Sequence, residues 1–390
     1  MINPYTCYIA AFLSALLVYP LGWSTLYPVL SLSLLIFLVI TLIIHSIFGW
    51  YWNRTQWIPF IKLEATLNPV LITVFIWILW SIEFLYEGGI PLFKILLHIP
   101  YDYRLFGVPS LHVFVVTFSS FYAVYLFHVF LSTKRPLILF LYIVNLFAAL
   151  LIYNRGMLFF NLSGSFFIYL FSIEKISFQK LAITVVGVIF LFYSFGVLGN
   201  LRVSFYARQK YSQTLFLETG KASSAFRESA VPNEFFWTYI YLSSPLANLQ
   251  TNINNANPPS LTVSRVFDHF NNEFLFDFIS KRINRLTGTE REKENTMPGP
   301  FNVSTVYSRS YSYSGWKGVI AMAIFVLLVP LLYRKMFKPD HPYALIGMAI
   351  LCTMYLFLAF DNTIRFTGLG FQLVYPLVFP LADRVFKRNE

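Results

Sequence analysis

The stretch from Pro136 to Ser172, PLILFLYIVNLFAALLIYNRGMLFFNLSGSFFIYLFS, decides how the rest of the chain reads. Its one charged residue is Arg155, set in an otherwise apolar and neutral string. As a single helix rising 1.5 Å per residue it would run roughly 55 Å, nearly twice the ~30 Å hydrocarbon core of a bilayer. The chain must therefore fold back within it. Asn154-Arg155-Gly156 is the place, because Asn and Gly tolerate left-handed turn geometry. Two spans result, with Arg155 at the tip of a tight hairpin.

Composition extends this reading to the whole chain. Of 390 residues, 57% are apolar, 19% aromatic and 12% charged, against about 25% charge in soluble domains. So little charge cannot coat a water-facing surface, which excludes a soluble enzyme, a disordered chain and a coiled coil. Ten apolar runs approach span length: Cys7–Gly22, Leu26–Gly49, Leu67–Tyr86, Pro109–Leu131, Pro136–Asn154, Gly156–Ser172, Leu181–Gly199, Gly318–Tyr333, Tyr343–Phe360 and Ile364–Ala382. The first lacks the basic flank and cleavage site of a signal peptide. The expected fold class is an all-α polytopic membrane protein with about ten transmembrane helices. Residues 1–200 would hold helices one to seven, with a short outer loop over 87–110. Residues 201–317 would form one large external loop, and 318–390 would hold helices eight to ten.

Orientation follows from Lys and Arg in the short loops. One set holds Arg54, Lys62, Lys134, Arg135, Lys175, Lys180, Arg334, Lys335, Lys338, Arg384, Lys387 and Arg388; the opposite set holds Lys94, Arg104, Arg155 and Arg365. The first set, with both termini, is placed in the cytoplasm. The loop 201–317 is then external. Within it Phe267, Phe270, Phe274, Phe278 and Ile279 recur at three- and four-residue spacing between polar neighbours. That spacing predicts an amphipathic helix, lying on the membrane or capping a cavity. The polar stretch Thr289 to Pro300 reads as an exposed turn.

Sorting the basic residues by side gives the first chemical clue. The outer side carries 11 Arg and 6 Lys, the inner side 5 Arg and 7 Lys. Topology accounts for cytoplasmic basic residues but not for an arginine-rich external face. Arginine's planar fork stays charged near a low-dielectric boundary and matches phosphate bidentately. Anchoring to lipid phosphates accounts equally well for any single one. Arg155, Arg104 (after the turn-forming segment EGGIPLF, Glu87 to Phe93), Arg309 and Arg365 mark the outer ends of different helix pairs and point to a shared anionic ligand. Glu83 is an intramembrane carboxylate, paired with Arg104 or functional. Asp361 is either a base or the i,i+4 partner of Arg365. Histidines 45, 112 and 128 lie in spans, where hydrogen-bonded packing is the commoner role. The two cysteines offer no disulfide framework, and the six histidines lack zinc spacing, so neither a metal nor another cofactor is expected. The net charge of +11 reflects anionic lipid and topology rather than nucleic acid.

Several segments together resemble a known family. They are GGIPL after the third span with its downstream arginine, the NRG hairpin, YIYLSSPLANL (Tyr239 to Leu249) in the external loop, and NVSTVY followed by GWKG before the eighth span. The arrangement resembles the bacterial oligosaccharide repeat-unit polymerases, the Wzy-type O-antigen polymerases. Ser314 departs from the acidic residue expected before Gly315 in many members. The resemblance implies a GT-C-like membrane glycosyltransferase of the bacterial inner membrane, active on the periplasmic face. It would move a growing glycan from undecaprenyl diphosphate to a new lipid-linked repeat unit, with a chain-length regulator in the same membrane. Arg104, Arg155, Arg309 and Arg365, with Arg202, would bind the donor diphosphate. Asp361, with Glu83 and Glu234 behind it, would activate the acceptor hydroxyl. The rival readings are an O-antigen ligase, for which His269 is the histidine available in the loop, and a lipid-linked oligosaccharide flippase. A flippase is disfavoured by the absence of internal repeats and of midplane charge.

Overall fold

The computed structural model describes residues 2–380 apart from 57, 66, 103–104, 174–176, 209 and 339–340. Arg104, Lys175 and the basic C-terminal residues Arg384, Lys387 and Arg388 thus lie outside the described residues, as does the end of the tenth apolar run at Ala382. Among the described residues the chain is helical and forms no strand: α1 (Pro4–Val18), α2 (Leu32–Thr55), α3 (Pro69–Tyr86), α4 (Pro91–Leu96), α5 (Leu111–Thr133), α6 (Pro136–Leu151), α7 (Arg155–Ser172), α8 (Phe178–Tyr206), α9 (Leu215–Thr219), α10 (Ser224–Arg227), α11 (Phe235–Asn255), α12 (Val263–Phe274), α13 (Asp277–Thr287), α14 (Ser308–Lys335), α15 (Ala344–Phe357) and α16 (Thr367–Gly370). Six are long and apolar enough to cross a membrane, namely α1 with its extension to Leu21, α2, α3, α5, α8 and α14. Helices α6 and α15 are shorter apolar helices.

Local sequence sets the boundaries. Asn3 caps α1 in a capping box with Thr6, Ser31 caps α2, Asn68 caps α3 ahead of Pro69, and Asn154 caps α7. Helix α15 is buried along almost its whole length, as a helix apolar all round should be, and packs against α1 and α7. Helix α5, nearly as buried, packs against α6 and α7.

The helix ends sort into two groups. At one end Asn3 bonds Asn53 at 3.0 Å, Arg334 bonds the Gln56 carbonyl at 3.4 Å, and the Leu63 amide bonds Ser132 at 3.0 Å. At the other, Thr25 bonds the Lys221 carbonyl at 3.0 Å, Ser31 bonds Gln250 at 2.8 Å, Arg282 bonds Ser110 at 2.7 Å, and Asp277 bonds the Arg365 carbonyl at 3.0 Å. The polar segments between α8 and α14 therefore cover the end that carries the 152–154 turn and the 358–366 connection.

Three local expectations are revised. The turn between α6 and α7 spans Ile152–Asn154, and its left-handed residue is Tyr153 (φ +57°) rather than Asn154 or Gly156. Arg155 is the first residue of α7. The amphipathic stretch is two helices that break at Leu275-Phe276, and its polar face is the one turned inward. His269, Asn271, Asn272 and Glu273 are buried, while Phe267 and Phe270 are half exposed. The segment after Thr289 is no free turn either: Asn295 bonds Asn252, and the amide of buried Met297 bonds Asn248.

Helix α14 is interrupted at Ser314 (φ −150°, ψ 19°) and Gly315 (φ 59°, ψ −145°), separating a polar first turn from the apolar span. Gly315 occupies a region where a Cβ is strained. Gly315→Val should lower conformational stability by ~1–3 kcal/mol, read as a reduced thermal midpoint in detergent. Gly187→Ala in α8, where nothing lies within 4 Å of the new methyl, should leave the midpoint unchanged or raised.

Candidate functional site

The charged residues of the covering segments gather where α12, the 289–307 segment, the start of α14 and the 358–366 connection meet. Glu273, 1% exposed, accepts two bonds from Arg291, Nε to Oε1 at 2.9 Å and Nη2 to Oε2 at 3.2 Å. Asn362 adds Nδ2 to the Glu273 carbonyl at 2.7 Å and to Oε2 at 3.3 Å. Next to this pair, Arg309 Nη2 lies 2.8 Å from Glu294 Oε1, and Nη1 lies 3.9 Å from Asp361 Oδ1. Asp361 is the open member: its side chain is 61% exposed, and it accepts the Asn362 amide at 2.7 Å.

Arg365 differs from its neighbours. It is buried, its Nε has no hydrogen-bond partner, and no carboxylate lies within 4.0 Å of it among the described residues. Its electrostatic neighbours include Arg291 and Arg309 as well as Glu273 and Asp277. A buried guanidinium with no direct counterion is costly, and here only the more distant Glu273 and Asp277 offset it.

The acids respond oppositely to their surroundings. Burial pushes Glu273 up, but Arg291, with Arg365 and Arg309 beyond it, holds the carboxyl below the usual range. In Glu294 burial dominates and lifts the carboxyl above its ordinary value despite Arg309. Environments that push two carboxyls apart separate proton-holding from charge-holding roles. Glu294 takes a proton first as pH falls, loosening Arg309, while Glu273 keeps its charge.

The residues singled out from sequence distribute unevenly. Arg309, Arg365 and Asp361 converge, with Asp361 paired to Arg309 rather than to Arg365. The i,i+4 pairing fails because the chain between α15 and α16 is not helical. Arg155 is exposed at the start of α7 and Arg104 lies outside the described residues. Arg202 stands elsewhere, over the Trp237 ring at 5.7 Å, in a cavity of about 300 Å³ that Tyr241 and Phe360 also line. Glu234 is buried at the start of α11, accepting from Gln213 at 2.9 Å and Tyr211 at 3.4 Å, and so closes a loop instead of facing the cluster. Glu83 is buried against His112, whose Nδ1 lies 2.9 Å from Oε2. His128 and His45 bond backbone carbonyls, the packing role expected of them. His269 is buried and stacked on Tyr313 at 5.3 Å.

Sequence reasoning missed Arg291, Glu273 and Glu294. The available signal is the dense alternation of charge in EREKEN, Glu290 to Asn295, a composition shared with exposed turns. Comparison with family models, curated proteins and solved structures finds no match to the chain.

Removing one partner of a buried ion pair costs ~3–5 kcal/mol, and Arg291 keeps some solvent contact, so Glu273→Gln should sit at the lower end. Glu273's folded value lies below its unfolded one, about 4.3. The pair therefore stabilises fully above that pH and loses its effect as pH falls through the folded value. Thermal midpoints of wild type and Glu273→Gln should differ most near neutrality and converge in acid.

Proposed function

We propose that the chain is a GT-C-like glycosyltransferase of the bacterial inner membrane, with ten spans and both termini cytoplasmic. In this reading it polymerises undecaprenyl-diphosphate-linked repeat units at the periplasmic face, as Wzy-type O-antigen polymerases do. The observation that carries the reading is the convergence of Arg309, Arg365 and Arg291 from distant parts of the chain at one set of helix ends, with one buried guanidinium lacking a direct counterion. The two-group sorting of helix ends supports the alternating topology that ten spans require.

The chemistry follows from charge. An acceptor hydroxyl oxygen attacks the anomeric carbon of the donor glycan, the bond from that carbon to the diphosphate oxygen breaks, and the lipid diphosphate leaves as an anion. Arg365 and Arg309 stabilise that departing charge in a site of low dielectric. Asp361, the exposed carboxylate beside Arg309, takes the acceptor proton. Arg291 acts at one remove, neutralising Glu273 so that the buried acid does not cancel the site's positive field.

Purified protein given only a lipid-diphosphate repeat unit should build a ladder of lengths without nucleotide sugar. With lipid A core supplied as well, transfer to it with no ladder would favour the ligase reading, and no glycan transfer in either assay would remove the enzymatic one. Asp361→Asn should lower the rate by ~10²–10⁴ with donor binding retained, whereas Arg365→Gln should weaken donor binding as well. An Arg155→Ala protein that still makes long polymer would take the exposed hairpin arginine out of the scheme.

A further inference from the structure

A second basic feature adjoins the cluster. Asp277 and Thr367 link to Arg365, through the Asp277 amide on the Arg365 carbonyl and the Thr367 amide on Asp277 at 2.9 Å. They also line a cleft of about 470 Å³ between the start of α5, the α6–α7 turn, α13 and the 366–368 turn. That volume falls within the range of small-ligand sites. Lys281, Arg282 and Arg285 line its α13 side, and Val113, Val116 and Phe366 give it an apolar wall.

The positive charge here is only partly answered. Lys281 pairs with Asp277 at 3.1 Å, and Asp277 also accepts from Thr367. Arg282 is held by neutral oxygens alone, the Phe278 carbonyl at 2.9 Å and Ser110 Oγ at 2.7 Å. Arg285 has no carboxylate within 4.0 Å among the described residues. Ser110 holds φ +71° and ψ −43°, a costly geometry for a residue with a side chain.

On the α5 side of the cleft lies His112, and the observation that points to a ligand stands behind it. Glu83 is fully buried in α3; Oε2 bonds His112 Nδ1 at 2.9 Å, and Oε1 has no hydrogen-bond partner among the described residues. The imidazole is fixed further by the edges of Phe106 at 5.5 Å and Trp80 at 6.2 Å. Gly107 (φ +110°) leaves no room for a Cβ beside the ring. With Nδ1 given to the carboxylate, Nε2 is the ring nitrogen left for a ligand. A buried carboxylate behind an imidazole orients the ring.

We propose that this cleft binds a diphosphate carried on an apolar chain. Arg282 and Arg285 would contact phosphate oxygens with the His112 ring beside them, Glu83 would position His112, and the apolar wall would take the first part of the chain. The role as acceptor subsite, next to the donor diphosphate at Arg365, rests on the polymerase reading. The binding itself does not.

The test uses the full chain in detergent micelles with Lys281→Cys as a reporter at the cleft mouth, since Cys7 and Cys352 are buried. Farnesyl diphosphate should slow maleimide labelling of this thiol. Replacing His112 by Ala, or Arg282 and Arg285 together by Gln, should raise the protecting concentration about tenfold or more. The arginine pair is exposed, so its replacement leaves folding intact. Glu83→Gln should weaken protection and Glu83→Asp restore part of it. Inorganic pyrophosphate protecting only at much higher concentration identifies a lipid headgroup as the natural source; equal potency identifies a free phosphate compound, with the same residues bound to it. No protection, equal protection by farnesol, or protection unchanged in both the His112 and the arginine variants would overturn the proposal. None of these readouts depends on glycan transfer, so a protein that binds but builds no ladder would sink the polymerase reading and leave the cleft standing.

Discussion

The pairing of Glu273 with Arg291, closed by Asn362, is the constraint on which the polar end of the molecule depends. It joins three stretches that sequence distance keeps apart: α12, the charged string after α13, and the turn beyond α15. Two parallel bonds between a guanidinium and a carboxylate fix orientation as well as distance. Burial of the acid raises the stakes, because a lone carboxylate there would be intolerable. Beside this pair Arg309 meets Glu294 and Asp361, and Arg365 has no acid of its own within 4.0 Å among the described residues.

Arginines in this protein divide by whether a carboxylate answers them. Arg291 and Arg265 each meet one within 4.0 Å, and for these the structural role is sufficient, whereas Arg309 meets Glu294 and also faces the exposed Asp361. Arg365 and Arg282 meet none among the described residues, although both are held in place by their surroundings. Positive charge that is fixed and unneutralised attracts anions, and both residues sit on the side of the molecule where the polar segments converge. The account of diphosphate chemistry rests on these unanswered charges and not on the total number of arginines.

The helical fold was legible because uncharged apolar runs report burial or lipid contact wherever they occur. Each of the ten runs overlaps a helix, although among the described residues six helices have the length and hydropathy to cross a membrane unaided. Other features were hidden for physical reasons. Periodicity in 267–279 showed that one face is apolar, but not which face meets the protein. Here Asn272 and Glu273 turn inward and Phe267 and Phe270 turn out. Asp361 and Arg365 are four apart, which means contact only if the backbone between them is helical. Arg291 and Glu294 sit in a polar string whose composition resembles a solvated turn, and only long-range packing against α11 and α12 reveals otherwise. Glu83 was visible as an oddity in an apolar helix, but its partner His112 lies on another helix.

The most direct test of the central claim is a structure of the protein bound to a polyprenyl diphosphate, in which the phosphate positions are seen. The account predicts phosphate oxygens within about 3 Å of the Arg365 and Arg309 guanidinium nitrogens, with the chain running toward the apolar helices. A diphosphate seated at the opposite helix ends, near Arg334 and Asn53, with Arg365 untouched, would contradict it.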